Sequence, residues 1–321
     1  MSIDIPADHT DHTDHTDITG QAQLQDVPIE TVLQSIDQSL VHLPSYRELY
    51  YRWERQQWRT EDIDFIPDCI QWEDLLPEEQ ERYLSPMAMF YQGEACVTDA
   101  LSPFVRAAPD EEMRIFLTTQ QVDEARHTVF FNRFFSEVIG IDSGRLEDTL
   151  LVVRELMNQA SRSILVEALS DVAERIWREP DNLVSLVEGV ALYHIIIEGT
   201  MALAAQRTLM EQYREENLFP SLRAGMTALT RDESRHVIFG VRFLRDMLQQ
   251  NPAYAPVVAA AISRYAPAAI ETLMPTDKMI DFLLKQQDDP WKSVRYAQDS
   301  LRKKLKVIGL SMELPFVSPP P

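Results

Sequence analysis

The chain has 321 residues, with 51 acidic against 30 basic side chains and a formal charge of −21 at pH 7. That length fits one large domain with a terminal extension, and that charge argues against nucleic acid and anionic membrane surfaces, which both need basic patches. Two cysteines, Cys69 and Cys96, leave no disulfide framework and no thiolate metal motif. No basic-then-apolar leader pattern appears and no apolar run reaches the roughly 18 residues that span a bilayer, so a cytoplasmic protein without membrane insertion is expected.

Residues 1–27 are polar and repeat Asp-His-Thr, with His9, His12 and His15 at equal spacing. Such a tract buries no core and reads as a disordered extension. From Pro28 the apolar spacing is helical almost without pause, predicting helices near 28–43, 45–58, 76–84, 86–107, 109–138, 145–178, 181–214, 221–249, 252–270 and 290–306. Ser85-Pro86 and Ala108-Pro109-Asp110 place proline at a first helical position, with Asp110, Glu111 and Glu112 near a positive helix end. Pro103 predicts a kink or restart, Gly140 and Gly144 bracket a break, and Asn251-Pro252 ends another helix. No alternating strand pattern or glycine-rich phosphate loop interrupts this order. Residues 307–321 finish in Ser-Pro-Pro-Pro and read as an extended tail, which leaves 28–306 as one all-α domain.

Two of these helices carry the same five-residue pattern, Asp123-Glu124-Ala125-Arg126-His127 and Asp232-Glu233-Ser234-Arg235-His236. Residues three apart share a helical face, so Glu124 converges with His127 and Glu233 with His236. Oxygen and imidazole donors together suit iron or manganese. A single Glu-x-x-His is weak, but the repetition among apolar neighbours (Val122, Val129, Phe130 and Phe131; Val237, Ile238 and Phe239) argues for burial, where charge needs compensation. Dinuclear carboxylate bundles add one inward Glu from each of two further helices. Glu94 and Glu198 supply them, each one helix before a motif and each beside a glycine (Gly93, Gly199). The expected fold is a ferritin-like four-helix bundle with additional flanking helices, holding two metals on Glu94, Glu124, His127, Glu198, Glu233 and His236. Asp232 is placed to orient His127 across the bundle and Asp123 to orient His236. His42 and His194 lack partners at ligand spacing and read as structural; Cys96 reads as a small packing residue whose thiol lies near the site.

With these motifs, residues 45–270 resemble ribonucleotide reductase small subunits, and more closely their relatives, the ligand-binding oxidases with a heterodinuclear Mn/Fe cofactor. The Trp58-Arg59-Thr60-Glu61-Asp62-Ile63-Asp64 stretch is similar to the one that links a tryptophan, through an aspartate, to a ligand histidine; carried over, that chain is Trp58, Asp232 and His127. Phe131 stands where the radical tyrosine of the usual small subunit would be. The first ligand is Glu94 rather than the common aspartate. Val97 and Tyr193 match the pair that becomes joined by an ether cross-link in the oxidases, although at 3.6 residues per turn Tyr193 lies about 140° from Glu198. The resemblance implies manganese on Glu94, Glu124 and His127, iron on Glu198, Glu233 and His236 (a di-iron loading being possible), and Glu124 bridging. It further implies O2 activation for two-electron C–H oxidation, a long-chain fatty acid or similar apolar ligand, an unidentified electron donor and a homodimer.

Two other readings stay open. A small subunit without a tyrosyl radical suits Phe131 and Glu94 equally, but calls for a tail tyrosine that the sequence after Lys306 lacks. A non-catalytic, iron-binding ferritin-like protein would need a shorter bundle that closes into a cage.

Overall fold

The computed structural model describes residues 24–285 and 288–314; His9, His12, His15 and the terminal Ser-Pro-Pro-Pro lie outside them. The described residues are helical throughout, with no strand among them. In chain order they form α1 (Ile29–Val41), α2 (Tyr46–Arg55), a 3-10 turn (Thr60–Asp62), α3 (Ile66–Asp74), α4 (Pro77–Ala107) and α5 (Glu111–Phe134, extended by a π-turn at Phe135–Ile139). Next come α6 (Leu146–Glu155), α7 (residues 159–178), α8 (Leu183–Glu215), α9 (Pro220–Gln250), α10 (Ala255–Glu271), α11 (Asp277–Lys285) and α12 (Lys292–Ile308).

Helices α4, α5, α8 and α9 make a ferritin-like four-helix bundle. α4 lies on α5, α8 lies on α9, and the α5–α9 contact joins the pairs. α1 and α2 cover α9 and α5, α7 backs α4, and α10 and α12 enclose α8. α8 is long and apolar enough to cross a membrane by length and composition, but its apolar window is 89% buried by the other helices, as befits a core helix.

Several boundaries differ from the sequence expectation, each for a local reason. The segments expected at 76–84 and 86–107 are one 31-residue helix with Pro86 and Pro103 inside it. Each proline forfeits one backbone bond. Fifteen buried residues along α4, Tyr83 to Ala107, hold the helix together across both. Pro109 precedes the start of α5 and Asp110 is its cap, accepting from the Met113 amide at 2.9 Å. Gly140 and Gly144, at φ 81° and 78°, do bracket the break after α5. The expected 145–178 helix is interrupted at 156–158. Short α3 and α11 lack the length that makes periodicity visible. α3 nonetheless has a structural role: its buried Asp68 accepts from the Ser221 and Leu222 amides at 2.9 and 2.7 Å, capping α9 from outside that helix. At the other end α12 runs on through Ile308, past the expected limit at 306, and Leu310, Met312 and Leu314 pack on the core.

Candidate metal centre

The four bundle helices bring Glu94 (α4), Glu124 and His127 (α5), Glu198 (α8), and Glu233 and His236 (α9) to one point, and all six are buried. Their donor atoms form two groups, Glu94–Glu124–His127–Glu233 and Glu124–Glu198–Glu233–His236, with the atoms of each group within 4.8 Å of one another. His127 Nδ1 stands 3.3 Å from Glu94, 3.4 Å from Glu124 and 3.4 Å from Glu233. His236 Nδ1 stands 3.1 Å from Glu124, 3.4 Å from Glu198 and 3.7 Å from Glu233. Two carboxylates, Glu124 and Glu233, therefore face both groups, where the sequence suggested only Glu124 as a bridge. Of the expected apolar neighbours, Phe130, Phe131, Val237, Ile238 and Phe239 are buried, whereas Val122 and Val129 are about half exposed; Phe116 packs beside His236.

The donors fit a pair of cations. Among the described residues, His236 Nδ1 and Glu198 Oε2 are buried with no hydrogen-bond partner, a costly state that a metal relieves. Burial, and then the charge of Glu233, push the Glu198 carboxyl well above its usual range, and burial does the same to Glu94 against the pull of His127. Both imidazoles are held well above their ordinary value by surrounding carboxylates despite burial, which opposes it. Four carboxylates and two imidazoles of this kind suit two divalent cations of the iron or manganese type.

Behind the donors, the two Asp-x-x-Arg pairs form a crossed lattice. His127 Nε2 meets Asp232 at 3.3 Å and His236 Nε2 meets Asp123 at 3.2 Å, so each ring is oriented by the opposite helix. Arg235 donates to Asp123 at 2.9 Å and to Asp232 at 2.7 Å; Arg126 reaches them at 3.0 and 3.2 Å. Trp58 donates to Asp232 at 2.7 Å and stacks near His127. Trp53, which sequence reasoning missed, gives the matching bond to Asp123 at 2.9 Å; its one signal was its place as the first of the two tryptophans in Tyr-Arg-Trp-Glu-Arg-Gln-Gln-Trp. Asp232→Asn is expected to weaken metal binding roughly 10- to 100-fold, read by competition with a chromophoric chelator; unchanged affinity would show that the lattice does not tune the imidazoles.

Tyr193 sits beside the donors for a reason that regular helical spacing hides. Residues Ala191–Ala202 form a π-helix, whose i→i+5 pattern brings a residue five before Glu198 toward the same face. The Tyr193 hydroxyl donates to Glu124 at 2.7 Å and accepts from Gln120 at 3.0 Å. Gln120, also missed, lies four residues before Glu124; it donates to Glu198 at 3.1 Å while its carbonyl faces His194 Nε2 at 3.0 Å. His194 is thus a fully buried support, pushed down to about 3 by burial and then by His236. His42 is exposed at the end of α1.

A cavity of about 40 Å³ opens on this side of the donors, lined by Glu94, Glu124, Glu198 and Glu233 together with Val97 and Tyr193. Met89, Phe90, Leu165, Ile197 and Met201 make its apolar wall. Gly93 borders it too, and a methyl there would make only ordinary contact with Leu165 at 3.6 Å, so close helix approach does not require this glycine. Phe131 is buried and stacked on Phe90. Cys96 accepts weakly from Gln92, and burial pushes its thiol up, away from the reactive thiolate.

An all-α bundle with two Glu-x-x-His motifs and two further inward glutamates defines the class of dinuclear carboxylate proteins. The ribonucleotide reductase small chain model matches residues 41–271, and the chain belongs to that family, which makes it an oxidoreductase. Its fold is that of R2-like ligand-binding oxidases. A single-residue variant of such an oxidase with anaerobically reconstituted Mn/Fe cofactor superimposes with a TM-score of 0.70 at 26% identity, covering 84% of this chain and 94% of that one. A second variant gives 0.71 at 26% identity with the same coverage. A third, with a non-activated Mn/Mn cofactor, gives 0.70 and 26%, covering 84% and 93%.

Proposed function

We propose that the protein is an O2-dependent, ligand-binding oxidase whose metals are manganese on Glu94, Glu124 and His127 and iron on Glu198, Glu233 and His236, with Glu124 and Glu233 shared. The neighbours' Mn/Fe cofactors support that pair of metals, while the order in which the two donor sets take them rests on the family resemblance, since oxygen and imidazole donors alone do not sort manganese from iron. When bound, the metal pair supplies the two-electron chemistry that reduces O2 and oxidises a C–H bond. The protein's own residues then decide which bond is presented. Asp123, Asp232 and Trp58 orient the imidazoles, the apolar wall excludes water, and Tyr193 points its hydroxyl at Glu124.

The observation that carries this reading is the placement of Val97 and Tyr193 on one cavity wall with all four glutamates, in a site where Phe131 replaces a radical tyrosine. The expected self-modification is an ether bond from the Tyr193 oxygen to the Val97 side chain. One O–H and one C–H are lost, and the two protons and two electrons pass to O2. Peptide mass spectrometry after reconstitution with Mn(II) and Fe(II) should find the two peptides joined and lighter by two hydrogens in air, but separate without oxygen. Two unmodified peptides after oxygen exposure would remove the cross-linking oxidase from consideration.

The apolar ligand enters this reading as a long-chain fatty acid or similar molecule. A 40 Å³ cavity has room for little more than one water, so such an occupant needs the apolar side chains of its wall to move aside. The working state is a cytoplasmic homodimer supplied by a separate electron donor, with residues 28–306 as the single metal-binding domain. A sedimentation coefficient of two chains fits it, and a large shell would indicate iron storage instead. A small subunit without a tyrosyl radical remains the competing reading, favoured by the Trp58–Asp232–His127 chain; co-purification with a large reductase subunit would decide for it.

A further inference from the structure

On the outer side of α8, away from the metal donors, lies a second cavity of about 250 Å³ between α1, α8 and α12. Its wall contains Lys304, a residue only 2% exposed. The aliphatic stem of Lys304 lies across Gly199, where a methyl would come within 2.9 Å of its Cε. Among the described residues its ammonium donates only to Ser300, at the hydroxyl and at the carbonyl oxygen (3.4 Å). Ser300 is itself engaged, donating to the Gly199 carbonyl at 3.1 Å.

The carboxylates around this cavity are taken. Asp37 pairs with Lys303 at 2.7 Å, Asp299 pairs with Arg302 at 2.8 Å, and Glu30 shares a hydrogen bond with Glu211. The other cation, Arg207, pairs with Glu211 at 2.8 Å and lies over the Tyr296 ring. Lys304 is therefore a buried cation with no carboxylate of its own among the described residues. Burial pushes its amine down to about 7, against the weaker opposing pull of Asp37 across the cavity. Opposite it, Leu33, Ile36, Leu40 and Leu203 give the cavity an aliphatic wall. One charge to satisfy beside an apolar wall is the pattern of a small-molecule site.

We propose that this cavity is a second ligand site, distinct from the metal-side cavity, that takes a small carboxylate with a short aliphatic tail, its anionic group on Lys304 and Ser300 and its tail on Leu33, Ile36 and Leu203. α8 separates the two cavities: Met201, Ala202 and Gln206 line the metal side, Leu203 and Arg207 the outer side.

The test is equilibrium dialysis of the metal-loaded full chain with hexanoate, hexanol and inorganic phosphate as probes. Beyond any hexanoate held on the metal side, one further site per chain should fill, and hexanol and phosphate should bind there at least tenfold more weakly. Lys304→Met should weaken hexanoate at least tenfold. Gln34→Trp, an exposed change at the cavity mouth, should do the same and keeps the test valid if the lysine variant fails to fold. Gly93→Leu, which fills the metal-side cavity, should leave this binding intact. Undiminished hexanoate binding in the Lys304 and Gln34 variants, loss of it in Gly93→Leu, equal binding of hexanol or phosphate, or no binding to the wild type would each overturn the proposal.

Discussion

Glu233→Ala is expected to leave no metal ion on the protein after anaerobic loading with Mn(II) and Fe(II) and desalting, where the unaltered chain keeps two. The expectation comes from position: Glu233 faces His127 Nδ1 at 3.4 Å and His236 Nδ1 at 3.7 Å, and it belongs to both donor groups. Removing it takes an oxygen from each site and also a negative charge that both cations need. Glu94→Ala, which touches one group only, should cost one ion and spare the other. Metal analysis of the two variants side by side separates the cases. One ion retained by Glu233→Ala would confine that carboxylate to the iron position, and two would refute the ligand set.

Gly240→Ala should lower the stability of the metal-free protein by about 3 kcal/mol, at the upper end of ordinary overpacking costs, with a fall in Tm on the order of 10 °C. A methyl at 240 would stand 2.2 Å from His194 Cβ and 2.9 Å from its Cγ. His194 has nowhere to retreat, being fully buried on α8 and in hydrogen-bond contact with Gln120 at 3.0 Å. Relief must come from moving α8 off α9, which also disturbs Gln120 and hence the Tyr193 hydroxyl. Calorimetry measures the effect, and an unchanged Tm would show that the α8–α9 spacing is not set by this contact.

The donor residues were legible in the sequence because a repeated Glu-x-x-His is an arithmetic signal: spacing of three on a helix fixes which side chains converge, whatever surrounds them. Glu198, after three isoleucines, was legible for a different reason, since a lone carboxylate in an apolar run demands a buried partner. Tyr193 was found by resemblance only, because the π-helical stretch breaks the 3.6-residue arithmetic on which its placement was judged. Gln120 and Trp53 carry no spacing rule of their own; their roles exist only once α5, α8 and α2 are packed. The same holds for the continuity of α4 through Pro86 and Pro103, where tertiary burial overrides a local breaker. The sharing of Glu233 is likewise a property of four assembled helices, not of one helix face.

The crossed lattice has a bearing on how the protein comes to hold metal at all. Divided at the Gly140–Gly144 break, the chain falls into two segments, each with one lone glutamate, one Glu-x-x-His and one orienting aspartate. Neither segment can set up its own imidazole, because Asp232 serves His127 and Asp123 serves His236. A nascent amino-terminal segment emerging first thus offers a cation only a loose, unoriented set of donors. A complete and oriented set of donors therefore exists only once the second segment has docked on the first.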